Sequence, residues 1–148
     1  MRISSKGRYG LSAMICIAMT ANTDELITVN CVSEKLGISK IYLEQVFSLL
    51  KRAKLVISIK GAQGGYQLAR KPENISCYDI LHALEQSLFE HTDSSVDEKA
   101  PDIEKVLKDC VWTHLDNVII KELKDITLKA LVDKVDSSKL NSNLMYYI

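Results

Sequence analysis

The sequence predicts a mainly α-helical chain with one small β-hairpin: a winged helix-turn-helix followed by a long C-terminal helix. Three observations carry this. A short helical segment, a glycine turn and a longer amphipathic helix run in order from Cys31 to Ala53. The stretch IKGAQGGYQLAR then places Gly61, Gly64 and Gly65 between two strand-like runs, with Lys60 before them and Arg70 after. Finally, an apolar stripe continues from Asp102 to about Lys124, roughly 22 residues or on the order of 33 Å of helix.

The elements follow in chain order. Tyr9 to Ala21 holds Leu11, Met14, Ile15, Ala18 and Met19 at helical spacing, and Asn22-Thr23-Asp24 ends that helix. Leu26, Ile27 and Val29 make an apolar connector, and Thr28 or Asn30 offers an N-cap for a helix over Cys31–Leu36 that stops at Gly37. Ser39 caps the third helix, whose Leu43, Val46, Phe47, Leu49 and Leu50 form one apolar face. LVISIK and YQLAR are alternating strands around a glycine turn, so a hairpin directly follows the helix-turn-helix. Ser76 caps a fourth helix that turns Ile80, Leu81 and Leu84 inward. The acidic EHTDSSVDEKAP is expected to be a mobile loop. The long helix carries Ile103, Leu107, Val111, Leu115, Val118 and Ile119, Thr127 caps a last short helix, and the apolar NLMYYI is expected to dock.

With 148 residues the chain is long enough to bury a core without a disulfide or metal. No apolar run approaches a membrane span, and no signal-peptide core follows the N-terminus, so a cytoplasmic protein is expected. The net charge of zero hides a division. Residues 1–75 hold eleven Lys/Arg against five Asp/Glu, whereas residues 76–148 hold eight against fourteen. A basic first half suits a polyanionic partner.

The glycine cluster matches no phosphate-loop pattern, and no helix follows it. As a wing tip, it brings Lys60 and Gln63 close to a groove. On the third helix Ser39, Lys40, Tyr42 and Gln45 occupy the end that enters a major groove. Lys40 and Tyr42 suit phosphates, Gln45 suits adenine, and Glu44 suits cytosine N4. The long apolar stripe favours pairing with a second copy, with Trp112 and Tyr146–Tyr147 read as packing residues and, alternatively, as the lining of an effector pocket. His82, His91 and His114 have no nucleophile partner, so no enzyme activity is expected; His82 and His114 are read as structural. Cys16, Cys31, Cys77 and Cys110 lie far apart and are read as buried free thiols. Cys31 opens a helix, which makes it a candidate thiol switch.

MRISSKGRYGL, ISKIYLEQVFSLLKRAKLV and KGAQGGYQLAR together resemble the Rrf-two family of bacterial winged-helix transcription regulators, over nearly the whole chain. The resemblance implies a dimer that binds palindromic promoter sites, usually as a repressor, through the third helix and wing. Many members hold an iron–sulfur cluster on three loop cysteines. FEHTDSSVDEKAPDIE contains none, which points to the cluster-free branch similar to the cysteine-metabolism repressor. That branch implies sulfur or cysteine genes as targets and an enzyme of cysteine synthesis as corepressor. Lys54 stands where the family usually has glycine, and Lys60 replaces the common wing arginine.

The expected organisation is a DNA-binding domain over 1–75, a fourth helix and effector-type loop over 76–101, and a dimerisation helix with docking segment over 102–148. Arg2, Ser4, Lys6 and Arg8 hold phosphates together with Lys60, Gly61, Gln63, Gly64, Gly65 and Tyr66 of the wing. Ser39, Lys40, Tyr42, Leu43, Glu44 and Gln45 form the recognition end. Leu107, Val111, Leu115, Val118 and Ile119 form the dimer seam, and no metal or cofactor site is expected. The alternatives are a cluster-bearing redox sensor and a winged-helix module that binds protein instead of specific DNA.

Overall fold

Ser4 sets the first helix. Its extended backbone and its Oγ, which accepts from the Gly7 N–H, cap α1 (Ser5–Ala18). This cap starts the helix four residues before the expected Tyr9, so Lys6 and Arg8 are helical. The computed structural model describes residues 2–23 and 25–147. Met1 of the N-terminal motif, Asp24 of the expected helix stop and Ile148 of NLMYYI lie outside the described residues.

Thr28 caps α2 (Val29–Leu36) through the Cys31 N–H, and Gly37 ends it in the left-handed region at φ 64°. In α3 (Lys40–Arg52), Ser39 holds the N-cap position but its side chain makes no capping bond. Lys54 then turns the chain at φ 57°, the one non-glycine residue with positive φ among the described residues. β1 (Val56–Ile59) and β2 (Gly65–Leu68) pair antiparallel, with Val56 opposite Leu68 and Ile59 opposite Gly65. The apolar connector joins them: Tyr66 and Ile27 exchange backbone bonds of 2.8 and 3.0 Å. Ile27 thereby adds a one-residue third strand beside β2, and the hairpin is fixed to the helical body.

Ser76 and Asp79 form a capping box that opens α4 (Cys77–Leu84). A 3-10 turn over Gln86–Phe89 leads into the acidic loop. The long helix is present as α5 (Pro101–Leu107), a π turn over Lys108–Trp112, and α6 (Thr113–Asp125). A stripe spaced by fours drifts about 40° per step at 3.6 residues per turn. The wider π turn takes back part of that drift between Leu107 and Val111.

The chain then returns, bonding Cys77 N to Ile126 O and Leu128 N to Ile75 O at 2.8 Å each. Thr127 caps α7 (Leu128–Tyr146), which is 19 residues long and not the short helix expected. Its first turns pack on α1, burying Leu128 and Val132. Its end does not dock on its own chain: Leu144, Met145, Tyr146 and Tyr147 are exposed.

The core gathers Met14 and Ile17 from α1, Leu43, Val46, Phe47 and Leu50 from α3, and Ile80 and Leu84 from α4. Gly10 admits α4: a Cβ there would lie 2.0 Å from Leu84 Cδ1. Lys54 carries a left-handed backbone that costs a side-chain-bearing residue on the order of 1 kcal/mol. Replacing it by glycine should therefore raise the urea midpoint slightly, by up to about 0.5 kcal/mol of stability after the entropy of the freer unfolded chain is counted. A lowered midpoint would mean that the Lys54 side chain makes a compensating contact.

Candidate nucleic-acid interface

Burial divides α3 into two faces. Leu43, Val46, Phe47 and Leu50 recur at helical spacing and are fully buried. Leu43 was expected in the contact set; at 0% exposure it is core, a consequence of lying on the same stripe as Val46 and Phe47. Tyr42 is half-buried, its ring meeting Tyr9 of α1 edge-on at 5.4 Å, so it joins two helices. Ser39 and Lys40, at the open N-terminal end of α3, and Glu44 and Gln45, off the buried stripe, are exposed. Between them stands Ile41, 71% exposed, which the sequence reading passed over. The signal was available, since Ile41 falls two residues ahead of the buried stripe and therefore on its far side. An isoleucine there suits a thymine methyl.

The hairpin divides likewise. Lys60, Gly61, Ala62 and Gln63 form an exposed tip, closed by a 3.0 Å bond from Gly64 N to Gly61 O. Gly61 adopts φ 126°, a conformation open to glycine, and a Cβ there would meet nothing. Gly64, Gly65 and Tyr66, half-buried, follow the tip where β2 begins. A Cβ on Gly64 would meet Ile59 O at 2.3 Å, and one on Gly65 would meet Ile27 O at 2.9 Å. Tyr66 packs its ring on Phe47 at 4.5 Å. These three residues build the wing and its seat, leaving the tip as its accessible part. Arg70 lies 3.8 Å from Asp79, bracing the hairpin against α4.

At the N-terminus Arg2, Ser4 and Arg8 are exposed and Lys6 is half-buried. Arg8 Nη2 donates to Ser5 Oγ at 3.1 Å. Ser4 is engaged twice: its Oγ accepts from Gly7 N, and its own N–H donates to Glu85 Oε1 at 2.7 Å.

The long helix leaves apolar surface uncovered. Leu115 and Val118 are exposed, as are Ile103 and Val106 before the π turn, while Leu107, Val111 and Ile119 are half-buried. The acidic loop meets the long helix at Ser95 and Val96. Glu104, the one buried charged residue among those described, accepts from Ser95 N, Ser95 Oγ and Val96 N at 3.1, 3.3 and 3.1 Å. His82 is exposed and stacks on Tyr78 at 5.3 Å, His91 Nδ1 lies 3.7 Å from Asp116, and His114 is exposed instead of packed.

Residues 3–134 match the family model Rrf2, described as an iron-dependent transcriptional regulator. The chain is 34% identical to the HTH-type transcriptional regulator IscR of Erwinia tasmaniensis over 147 residues, covering 97% of this chain and 88% of that protein. The structure of CymR, the global cysteine regulator of B. subtilis, superposes with a TM-score of 0.75 at 32% identity, covering 90% of this chain and 98% of that one. T. potens IscR gives a TM-score of 0.73 at 33% identity, covering 93% and 90%.

The family description raises the question of iron, and the donor set answers it. No cysteine lies between Tyr78 and Asp109, Cys77 is buried at the start of α4, and Cys110 stands alone on the π turn. No group of three or more His, Cys, Asp or Glu side chains is placed to hold a metal among the described residues. These residues do not fit an iron–sulfur cluster.

The expectation of four buried thiols is corrected at two positions. Cys31 and Cys110 are exposed, because Cys31 lies on the outer side of a short surface helix and Cys110 on the uncovered long one. Burial pushes the Cys16 and Cys77 thiols up from their ordinary pKa, keeping them protonated at neutral pH. In the folded protein a thiol reagent at pH 8 should thus modify Cys31 and Cys110 rapidly and Cys16 and Cys77 only on unfolding, as read by peptide mass spectrometry. Rapid labelling of Cys77 would contradict the packing of α4.

Proposed function

The chain belongs to the Rrf2 family of transcriptional regulators, and from that premise we propose that it acts as a homodimer binding a palindromic DNA operator, as a repressor in the cytoplasm. The observation that carries this reading is the shared exposure of Ser39, Lys40, Ile41, Glu44 and Gln45 on α3 and of Lys60 to Gln63 at the wing tip. The bodies of both elements are buried in one core. Charge supports it, because these groups belong to the half of the chain with eleven basic and five acidic residues.

In this reading Gln45 meets an adenine edge, Ile41 a thymine methyl, and Lys40, Lys60, Arg2 and Arg8 meet phosphates. Lysine at position 60 acts as a point charge where arginine would offer a two-pronged contact to guanine. Ile103, Val106, Leu115 and Val118 pair with their copies about a two-fold axis, which sets the spacing of the half-sites. Cysteine or sulfur-metabolism genes are the proposed targets, supported by the likeness to the global cysteine regulator of B. subtilis. Exposed Cys31, on α2 before the recognition helix, is the proposed thiol switch. A winged-helix module that binds protein would instead show weak DNA affinity blind to sequence.

Fluorescence anisotropy on operator DNA separates the roles. Lys60→Ala should weaken binding to every sequence and flatten the salt dependence by about one unit of log–log slope. Gln45→Ala should remove preference at a single base pair, about 1–3 kcal/mol. Equal, sequence-blind losses in both variants would sink the assignment. Leu115→Glu with Val118→Glu should convert a dimer to monomers in sedimentation and abolish operator binding; a monomeric wild type would refute the seam.

A further inference from the structure

The first turn of α1 contains half of a capping box. Ser4 Oγ accepts from the N–H of Gly7, the third helical residue, at 3.3 Å. In a complete box the side chain at that third position returns a bond to the N-cap N–H. α4 does this locally: Asp79 N donates to Ser76 Oγ at 3.2 Å, and Ser76 N donates to Asp79 Oδ2 at 2.9 Å. Gly7 has no side chain to return. The missing bond is supplied by Glu85, 81 residues further along, whose Oε1 accepts from Ser4 N at 2.7 Å. Gly7 is also what makes room for it, since a Cβ there would lie 2.5 Å from Glu85 Oε1 and 3.0 Å from its Cγ.

Glu85 has a particular place in the chain. It caps the C-terminus of α4, and its carbonyl accepts from Leu88 N at 3.1 Å to begin the 3-10 turn. That turn leads directly into the loop that Glu104 secures at its other end. One side chain therefore joins the root of the loop to the helical turn bearing Ser4, Lys6 and Arg8.

We propose that Glu85 is a positioning residue for DNA binding, completing the α1 capping box from another element and so setting where the first turn of α1 stands relative to α4 and the loop. The proposal rests on the DNA-binding reading above. A shift at the end of α4 moves the N-cap with it, and with the N-cap the basic side chains expected on phosphates. Simple electrostatics argues in the opposite direction, because a carboxylate beside phosphates repels them. The two accounts therefore differ in sign.

The test measures affinity for an operator selected with the wild-type protein, alongside the thermal midpoint of each variant. Glu85→Ala should weaken binding on the order of tenfold, although it removes a negative charge. Glu85→Gln keeps an acceptor oxygen and should bind within about twofold of wild type. The double variant Gly7→Glu, Glu85→Ala has a local box but no link to α4; its thermal midpoint should recover while its affinity stays low. Gly7→Ala retains every charge yet displaces Glu85, and should weaken binding as Glu85→Ala does, which keeps the test alive if Glu85→Ala fails to fold. Unchanged or tighter binding by Glu85→Ala, or full recovery of affinity in the double variant, would overturn the proposal and leave DNA binding standing. A wild-type protein that binds no DNA would overturn the underlying reading and the proposal with it.

Discussion

The close approach of α4 to α1 is the constraint on which the rest of the structure depends. It exists because α1 presents Gly7 and Gly10 where any larger residue would push Glu85 and Leu84 away. α1 is the common neighbour of α2, α3, α4, β2 and α7. Its separation from α4 consequently sets the position of the recognition helix on one side and of the last helix on the other. Protein interiors leave little free volume, so a displacement of even one methyl group at this contact would be felt across the core.

A second joint fixes the wing. Tyr66 meets Phe47 of α3 through its ring and Ile27 through its backbone, so one residue couples the hairpin to both the recognition helix and the connector. The tip beyond it projects as an exposed turn. The glycines crowd this stretch for two reasons: Gly61 carries the positive φ of the exposed turn, whereas Gly64 and Gly65 let the backbone pass close to Ile59 and Ile27. The outer groups of α3 and the tip are then held at a set separation by packing, and their chemistry can differ without disturbing the core.

Much of this was legible in the sequence because the relevant signals are local. Thr28 and Gly37 bound α2, Ser76 and Asp79 open α4, and alternating residues around Gly61–Gly65 make the hairpin. What escaped depends on distant partners. α1 starts at Ser4 with a carboxylate that lies in another element, so its beginning carries no complete local box. The π turn breaks no sequence pattern, because a stripe spaced by fours reads as ordinary helix. α7 is longer than expected because its SSKLNSN segment has loop-like composition, yet Ser137, Ser138 and Ser142 return their hydroxyls to carbonyls one turn back. At the site, periodicity already carries the burial of Leu43, which lies on the apolar stripe, and the exposure of Ile41, which falls off it.

The account stands or falls on whether this surface reads a symmetric DNA sequence. The most direct measurement is to incubate the purified protein with fragmented genomic DNA at near-physiological salt, recover the bound fragments and sequence them. The account predicts one enriched motif with two-fold symmetry, located upstream of genes. DNA retained without any common sequence, or no retention at all, would contradict it and leave the exposed faces of α3 and the wing to a protein partner.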